Sequence, residues 1–291
     1  MTFTNHIIPF QLGKSQVRGS IVRLETTVSE IIKRHNYPSN IESLLADTLT
    51  ITACLGSRMK HDGIFTIQAK GSGEVHTLFS DITNDGCLRG YVGLENNFSK
   101  KDVDLNSLMG SGHISFTLDQ GKYSKRYQGI VALEEQTISR SAELYFNNSE
   151  QLDTKFLNFN YYNSQKKNRE KMISSGLIML QKMPVKDTIE KEDYDKIWED
   201  SLTFLSTLQN EEFLSNDLSS QDILLRLFNE VGVTIYDEII IKDKCRCSQA
   251  KVEFAIKNLS KEELIDISDE NGNVKVICEF CKTERIFSNF N

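Results

Sequence analysis

Four of the six cysteines in this 291-residue chain crowd into its last fifth. They stand as Cys245-Arg246-Cys247 and, thirty residues on, Cys278-Glu279-Phe280-Cys281. Four thiolates in two close pairs match a tetrahedral zinc site, because Zn²⁺ is borderline-soft and imposes no geometry of its own. Each pair lets one short backbone segment supply two ligands. A ribbon whose metal only stabilises its fold usually carries C-x₂-C at both ends, so the C-x-C pair is the unusual feature. It keeps two sulfurs so near in sequence that oxidation can link neighbours without rearranging the fold, and a strained, exposed disulfide is easily reduced again. Zinc would keep all four sulfurs as thiolates, poised for peroxide or hypochlorous acid. Attack gives a sulfenic acid, which a neighbouring thiolate resolves to a disulfide. Each disulfide removes ligands, and structural zinc contributes on the order of 10–16 kcal/mol of apparent binding free energy. The expectation is a switch in which oxidation expels the metal and unfolds the module. The alternative is a zinc-ribbon binding module with a purely structural zinc.

The remaining reactive residues read as structural. Cys54 falls within the apolar helix pattern of residues 41–55 and reads as a buried small hydrophobe. Cys87 follows Gly86 in a turn, reads as exposed, and has no evident base or metal partner nearby. His6, His35, His61, His76 and His113 show no ligand spacing. Gly13-Lys14-Ser15 resembles the end of a phosphate-binding loop, but the required earlier glycine is replaced by Ile8. Gly71-Ser72-Gly73 and Gly110-Ser111-Gly112 lack the third glycine and the strand–helix setting of a dinucleotide site. No G-x-S-x-G elbow is present. A thiol–disulfide enzyme built on Cys278 and Cys281 would need a βαβ setting, which is missing. The sequence therefore gives no support to catalysis.

The elements that must carry these residues fall into three segments. Residues 1–183 mix strand and helix patterns and read as one α+β domain, an N-terminal α/β core. Residues 17–24 read as a strand. Thr27 with Glu30, and Ser39 with Glu42, have capping-box spacing and predict two helix starts. The second helix places Ile41, Leu44, Leu45, Thr48 and Leu49 on one face. Alternation at Phe65, Ile67 and Ala69, and again at Ile114, Phe116 and Leu118, predicts strands. Gly71, Gly73, Gly86 and Gly90 read as turns. Residues 130–133 and 155–162 read as extended, and 139–148 as helical. Residues 184–230 form a helical linker; from 185 to 230 there are twelve acidic residues against four basic. Apolar helical spacing runs through it, with Ser219 capping its last helix and Asp222 three residues on. Residues 231–291 make a small zinc-binding redox-switch domain, too small for a strong core unaided. Within it, residues 251–267 read as helix, Asn271-Gly272-Asn273 as a tight turn, and 274–277 as a strand.

Net charge is -7 and the pI is about 5.4, which argues against bulk affinity for nucleic acid or an anionic membrane. Residues 242–291 hold nine basic and nine acidic side chains, unlike a module that grips phosphates. Lys166, Lys167, Arg169 and Lys171 read as a solvated loop. No apolar run approaches the roughly 20 residues of a membrane span. No signal peptide is evident, so the expected compartment is the cytoplasm.

Several short runs follow one another in a set order along the chain. They are Val17-Arg18-Gly19 with Arg23-Leu24; Arg58-Met59-Lys60, Gly63 and Thr66-Ile67-Gln68, continuing to Gly71-Ser72-Gly73; Arg89-Gly90-Tyr91; and Tyr127-Gln128-Gly129-Ile130-Val131. Tyr145-Phe146 through Ser149-Glu150-Gln151-Leu152, and residues 176–184 containing Leu180-Gln181, complete them. With the cysteine spacing, this order resembles the bacterial redox-regulated heat shock protein 33 family, also called the 33 kDa chaperonins. Two departures are small: residues 58–63 differ slightly from the usual run, and Ser174-Ser175-Gly176 stands where the family often has consecutive glycines. The resemblance implies a core, a helical linker and a zinc-binding redox domain. It implies a reduced, zinc-bound inactive state, and an oxidised holdase that protects thermally unfolding and oxidatively damaged proteins and tends to form a homodimer. It implies disulfides within each pair, Cys245 with Cys247 and Cys278 with Cys281. A holdase must expose apolar surface that is normally covered. The linker face of Leu202, Phe204, Leu205 and Leu208 is the candidate, and charging it by Leu205→Glu is expected to weaken client protection while leaving zinc binding alone.

Overall fold

The computed structural model describes residues 5–14, 16–59, 62–101, 104–121, 126–162, 173–184, 191–215 and 217–288. Strands β1 (His6–Leu12) and β2 (Val17–Leu24) lead into helices α1 (Thr26–Lys33) and α2 (Ser39–Gly56). A meander follows: β3 (Ile64–Gly71), β4 (Val75–Thr83) and β5 (Cys87–Leu94). Then come α3 (Leu105–Met109), β6 (Gly112–Asp119), β7 (Tyr127–Ala132), α4 (Ile138–Tyr145), a π-helical turn at Phe146–Glu150, β8 (Thr154–Tyr162) and β9 (Ile173–Lys182). The linker supplies α5 (Lys191–Thr207), α6 (Asn210–Phe213) and α7 (Ser220–Phe228). Three short strands, β10 (Val233–Ile235), β11 (Ile239–Ile240) and β12 (Lys242–Asp243), precede α8 (Gln249–Lys257), α9 (Lys261–Ile267) and the hairpin of β13 (Val274–Ile277) and β14 (Glu284–Phe287). The chain is α+β, as its patterning predicts.

One sheet runs β10-β1-β2-β9-β8, with β11 also on β1; the other runs β12-β5-β4-β3-β6-β7. Pairing is antiparallel throughout both, except for β12 beside β5. Helix α2 packs against strands of both sheets, which explains its composition. Residues on every side of it are buried, as expected of a helix that is apolar all round. Thr48 and Thr52 survive there because their hydroxyls donate to Leu44 O and Thr48 O, each at 2.7 Å.

The central strands β1, β2 and β9 of the first sheet are buried on both faces. Ile7, Val22, Leu177 and Met179 face the core that holds α2. Ile8, Phe10, Leu12, Ile21, Ile178 and Leu180 face a second core built with the linker helices. Strands wet on neither face lose the apolar–polar alternation that marks a half-exposed strand.

Several local expectations are corrected. Thr27 lies inside α1 and caps nothing; instead Asn5 Oδ1 accepts from the backbone N–H groups of Glu25 and Thr27, each at 3.0 Å. Helix α2 begins at Ser39 with Pro38 as its cap residue and no side-chain cap. The Ser219–Asp222 box forms as expected. Gly90 is inside β5, where a Cβ would meet Leu49 Cδ2 at 3.0 Å, so it admits α2 rather than turning the chain. Cys87 is buried as the first residue of β5, its N–H held by Thr83 Oγ1 at 3.1 Å. The helix expected over 251–267 is two, because Ser260 and Glu263 form a capping box that restarts it. The basic residues 166–171 lie outside the described residues.

The backbone contacts group Met1–Asp243 as one compact unit and Lys244–Asn291 as a second. The sequence places a boundary at 231. Residues 233–243 instead belong with the larger unit, because β10 and β11 pair with β1 and β12 pairs with β5.

Candidate metal centre

The smaller unit has a meagre apolar core: among the described residues its buried cluster is Ile256, Val274 and Phe287, with Val252, Leu264 and Val276 packed alongside. Other large apolar side chains stay outside it, Phe254 at 72% and Ile265 at 73% exposure. What closes the unit is its sulfur cluster. Cys245 and Cys247 come from the stretch between β12 and α8. Cys278 and Cys281 sit on the turn between β13 and β14. That turn is tight: Lys282 N–H donates to Cys278 O at 2.8 Å, Cys278 N–H donates to Thr283 O at 3.0 Å, and Lys282 adopts φ 52°.

All four sulfurs lie within 4.8 Å of one another. Cys245 and Cys278 are 3.8 Å apart, Cys247 and Cys281 3.4 Å. Four sulfurs bonded at about 2.3 Å to a central Zn²⁺ form a tetrahedron with edges of about 3.8 Å, so the cluster has the size of such a cage. The donor chemistry fits as well, since four adjacent thiolates repel one another and need a cation among them.

Neighbouring donors temper the charge. Arg285 Nη2 lies 3.3 Å from Cys247 Sγ, and the Thr283 hydroxyl 3.1 Å from Cys281 Sγ. Burial and the nearby Cys281 sulfur push the Cys247 thiol up to about 12. Burial raises Cys281 too, but the Thr283 hydroxyl and backbone, with Cys247 and Cys278, outweigh it and bring that thiol down to about 6. Cys54 is fully buried in α2, and burial pushes its thiol up to about 12, which leaves it inert.

The linker candidates all pack on the second core. Leu205 and Leu208 are buried in it, at 3% and 5% exposure, and Leu202 and Phe204 are partly buried against it. Three anchors went unnoticed in the sequence. The Arg23 guanidinium, rising from β2, donates to the carbonyls of Leu218 at 2.7 Å, Ser215 at 2.9 Å and Phe213. The Phe213 ring stacks on Phe159 at 4.0 Å, in space that Gly176 provides: a Cβ there would lie 2.1 Å from the ring. His6 Nε2 meets Ser220 Oγ at 2.8 Å. The one available signal was a pair of charged residues, Arg18 and Arg23, inside a largely apolar strand.

His6 and Ser220, with Glu238 3.8 Å from the other ring nitrogen, have the outline of a base and nucleophile. Ser220 is only 2% exposed, so a substrate has no access to it. No helix among the described residues is long and apolar enough to cross a membrane.

Comparison with known sequences decides the family. The sequence pattern described as Hsp33 protein matches residues 5–288. The chain belongs to the Hsp33 family. A "33 kDa chaperonin" of Pseudomonas savastanoi pv. phaseolicola is 34% identical over 280 residues, covering 96% of this chain and 89% of that protein. One from Shigella flexneri serotype 5b is 31% identical over 273 residues, covering 94% and 89%. The fold also matches the crystal structure of the Thermotoga maritima 33 kDa chaperonin, with a TM-score of 0.80 at 24% identity, over 98% of this chain and 95% of that one. The Hsp33 resemblance read from the short runs and cysteine spacing is thus borne out over nearly the whole chain.

Proposed function

We propose that this Hsp33 chain is a non-enzymatic, cytoplasmic, redox-regulated holdase chaperone that binds unfolding proteins only after its four-cysteine centre is oxidised. The observation that carries this reading is the contrast inside the smaller unit, where four sulfurs converge on one another while the buried apolar core among the described residues is only three side chains. Zinc bound there would fix the four sulfurs as thiolates and supply most of the unit's folding free energy. Cys245, Cys247, Cys278 and Cys281 are the proposed ligands and the proposed redox residues.

The chemistry belongs to the cysteines. A thiolate sulfur attacks peroxide, the O–O bond breaks, and the sulfur is oxidised to a sulfenic acid with release of hydroxide. A neighbouring thiolate then displaces hydroxide from that sulfur, giving a disulfide; one peroxide is reduced for each pair oxidised. We assign the bonds within each pair, Cys245–Cys247 and Cys278–Cys281, as the family resemblance implies. Local pairs also stay close once the unit has lost its fold. Two disulfides leave no thiolate donors, and a core of three residues does not hold alone.

The surface made available is the face of the first sheet now under the linker, with Ile8, Phe10, Ile21, Ile178 and Leu180, together with the linker face of Leu202, Phe204, Leu205 and Leu208. An apolar patch of this kind captures other proteins. The oxidised form is expected to associate into a homodimer through the same patch. The test is light scattering from a client unfolding on heating, with this chain added either reduced and zinc-loaded or peroxide-treated, and zinc release followed by a chromogenic chelator. Suppression by the oxidised form alone, in step with zinc release, is the expected result. Zinc that stays bound during activation, or equal inertness of both forms, would leave the cysteines as a structural ribbon.

A further inference from the structure

A cavity of about 270 Å³ opens beyond the end of α2, between β2, β6, β7 and the π-helical turn. Two guanidinium groups reach into it, Arg18 from β2 and Arg58 from the stretch after α2. Both donate to one acceptor, Gln181 Oε1: Arg18 through Nε at 2.8 Å and also through Nη2, Arg58 through Nη1 at 3.2 Å. The amide's orientation is fixed. Gln181 Nε2 donates to Thr154 Oγ1 at 2.8 Å, and the Thr154 hydroxyl donates in turn to Leu152 O at 2.9 Å. Two positive charges therefore share one neutral oxygen, with the weakly accepting Met179 Sδ 3.7 Å from Arg58 Nη1, although an arginine carries five N–H donors. Among the described residues neither guanidinium has a carboxylate within ion-pair distance. Burial, and for Arg58 also the neighbouring Arg18, lowers both from the ordinary arginine value, Arg58 to about 10.

The other lining is aromatic. Phe116 and Tyr145 stack at 4.8 Å, and Tyr145 reaches this position because Gly129 has no side chain: a Cβ there would stand 1.9 Å from its ring. Glu150 is the acidic residue of the lining, and its Oε1 accepts from Tyr127 at 2.5 Å and Tyr145 at 2.6 Å. The lining thus carries two positive charges and one negative, a balance that favours a monoanion over a dianion.

We propose that this cavity is a binding site for a carboxylate carried on a small apolar or aromatic body. The carboxylate accepts N–H groups of Arg18 and Arg58 that Gln181 does not use, and the body lies against Phe116 and Tyr145. The site needs neither the cysteines nor the linker. Such a carboxylate comes from a free organic acid or from the C-terminus of a polypeptide; the recognised chemistry is the same.

The test is calorimetric titration and saturation-transfer NMR on the full reduced, zinc-loaded chain. The probes are 3-phenylpropionate, its neutral amide, phenyl phosphate, and an acetylated tripeptide ending in phenylalanine with a free carboxylate. Charge-assisted bonds to two arginines predict that the acid binds roughly ten- to a hundredfold tighter than the amide. Arg58→Met is expected to abolish that difference, with circular dichroism checking that the variant folds; the acid–amide comparison on the unaltered chain stands whether or not it does. Tripeptide binding at least as tight as that of 3-phenylpropionate assigns the site to polypeptide C-termini, whereas binding of the free acid alone assigns it to small organic acids; both support the site. Equal affinity for acid and amide, tighter binding of phenyl phosphate, or no saturable binding of either carboxylate up to about 5 mM would overturn the proposal.

Discussion

Replacing Cys281 by serine removes one donor from a cluster whose sulfurs all lie within 4.8 Å of each other. Serine oxygen is a poor ligand for a borderline-soft ion, and the unit has little else to hold it. Cys281→Ser is expected to leave the purified chain with substoichiometric zinc and residues 244–291 open to limited proteolysis, measured by metal analysis and mass spectrometry. Cys54→Ala should change neither, costing only the packing of one small buried side chain, on the order of 1 kcal/mol. Asp47 offers a pH signature in the larger unit. Burial raises its carboxyl to about 6, against the pull of Asn160 and Asn158, whose amides donate to it at 2.7 and 3.0 Å. A carboxyl raised above its unfolded value favours the fold below that value, and the contribution is lost as pH rises through about 6. Asp47→Asn should therefore stabilise the larger unit by roughly 1–2 kcal/mol above pH 7 and have almost no effect near pH 4, in thermal melts across that range.

At the scale of elements, the linker helices act as a clamp on the first sheet. Arg23 holds three linker carbonyls, and Leu205 and Leu208 are buried in the shared core. Arg23→Met and Leu205→Glu should both loosen α5–α7 while the zinc centre stays loaded. The expected outcome is stronger binding of a hydrophobic dye by the reduced chain, with partial client protection. The sequence reads this face as normally covered and released on activation, and expects Leu205→Glu to weaken client protection by the oxidised chain; the burial of Leu205 in the shared core adds that the same charge loosens the cover of the reduced chain. The four-cysteine cluster was legible because its members lie in two short runs, and chemistry constrains their spacing. Strands β2, β3 and β6 were legible from their apolar patterns. The strands β10–β12 were not, because two- and three-residue strands show no periodicity and exist only through their partners in β1 and β5. The start of α1 was misplaced for a related reason: its cap is Asn5, twenty residues from Glu25 in sequence, so no local box could reveal it.

At the scale of the whole molecule, one chain combines a large unit with extensive cores and a small one held by four sulfurs. Chelation of zinc under reducing conditions should unfold the smaller unit and loosen α5–α7, while the two sheets of the larger unit stay paired. Calorimetry is expected to retain the main transition of Met1–Asp243, while circular dichroism loses helical signal from α8 and α9 and part of that from α5–α7. The strands β10–β12 offer a route from one event to the other. They are the only covalent connection from the linker to the cysteines, and each holds its sheet by two or three residue pairs. Segments with so few pairings open at low free energy. The acidic linker, within a chain of net charge -7, helps keep an opened form dispersed. The most direct measurement is hydrogen exchange by mass spectrometry on the reduced, zinc-loaded chain and on the same chain after peroxide. Residues 244–291 and 191–240 should both lose protection on oxidation, while β3, β4 and β6 keep theirs. Protection of α5–α7 that persists after zinc has left would contradict the account, because the apolar sheet face would then stay covered in the oxidised chain.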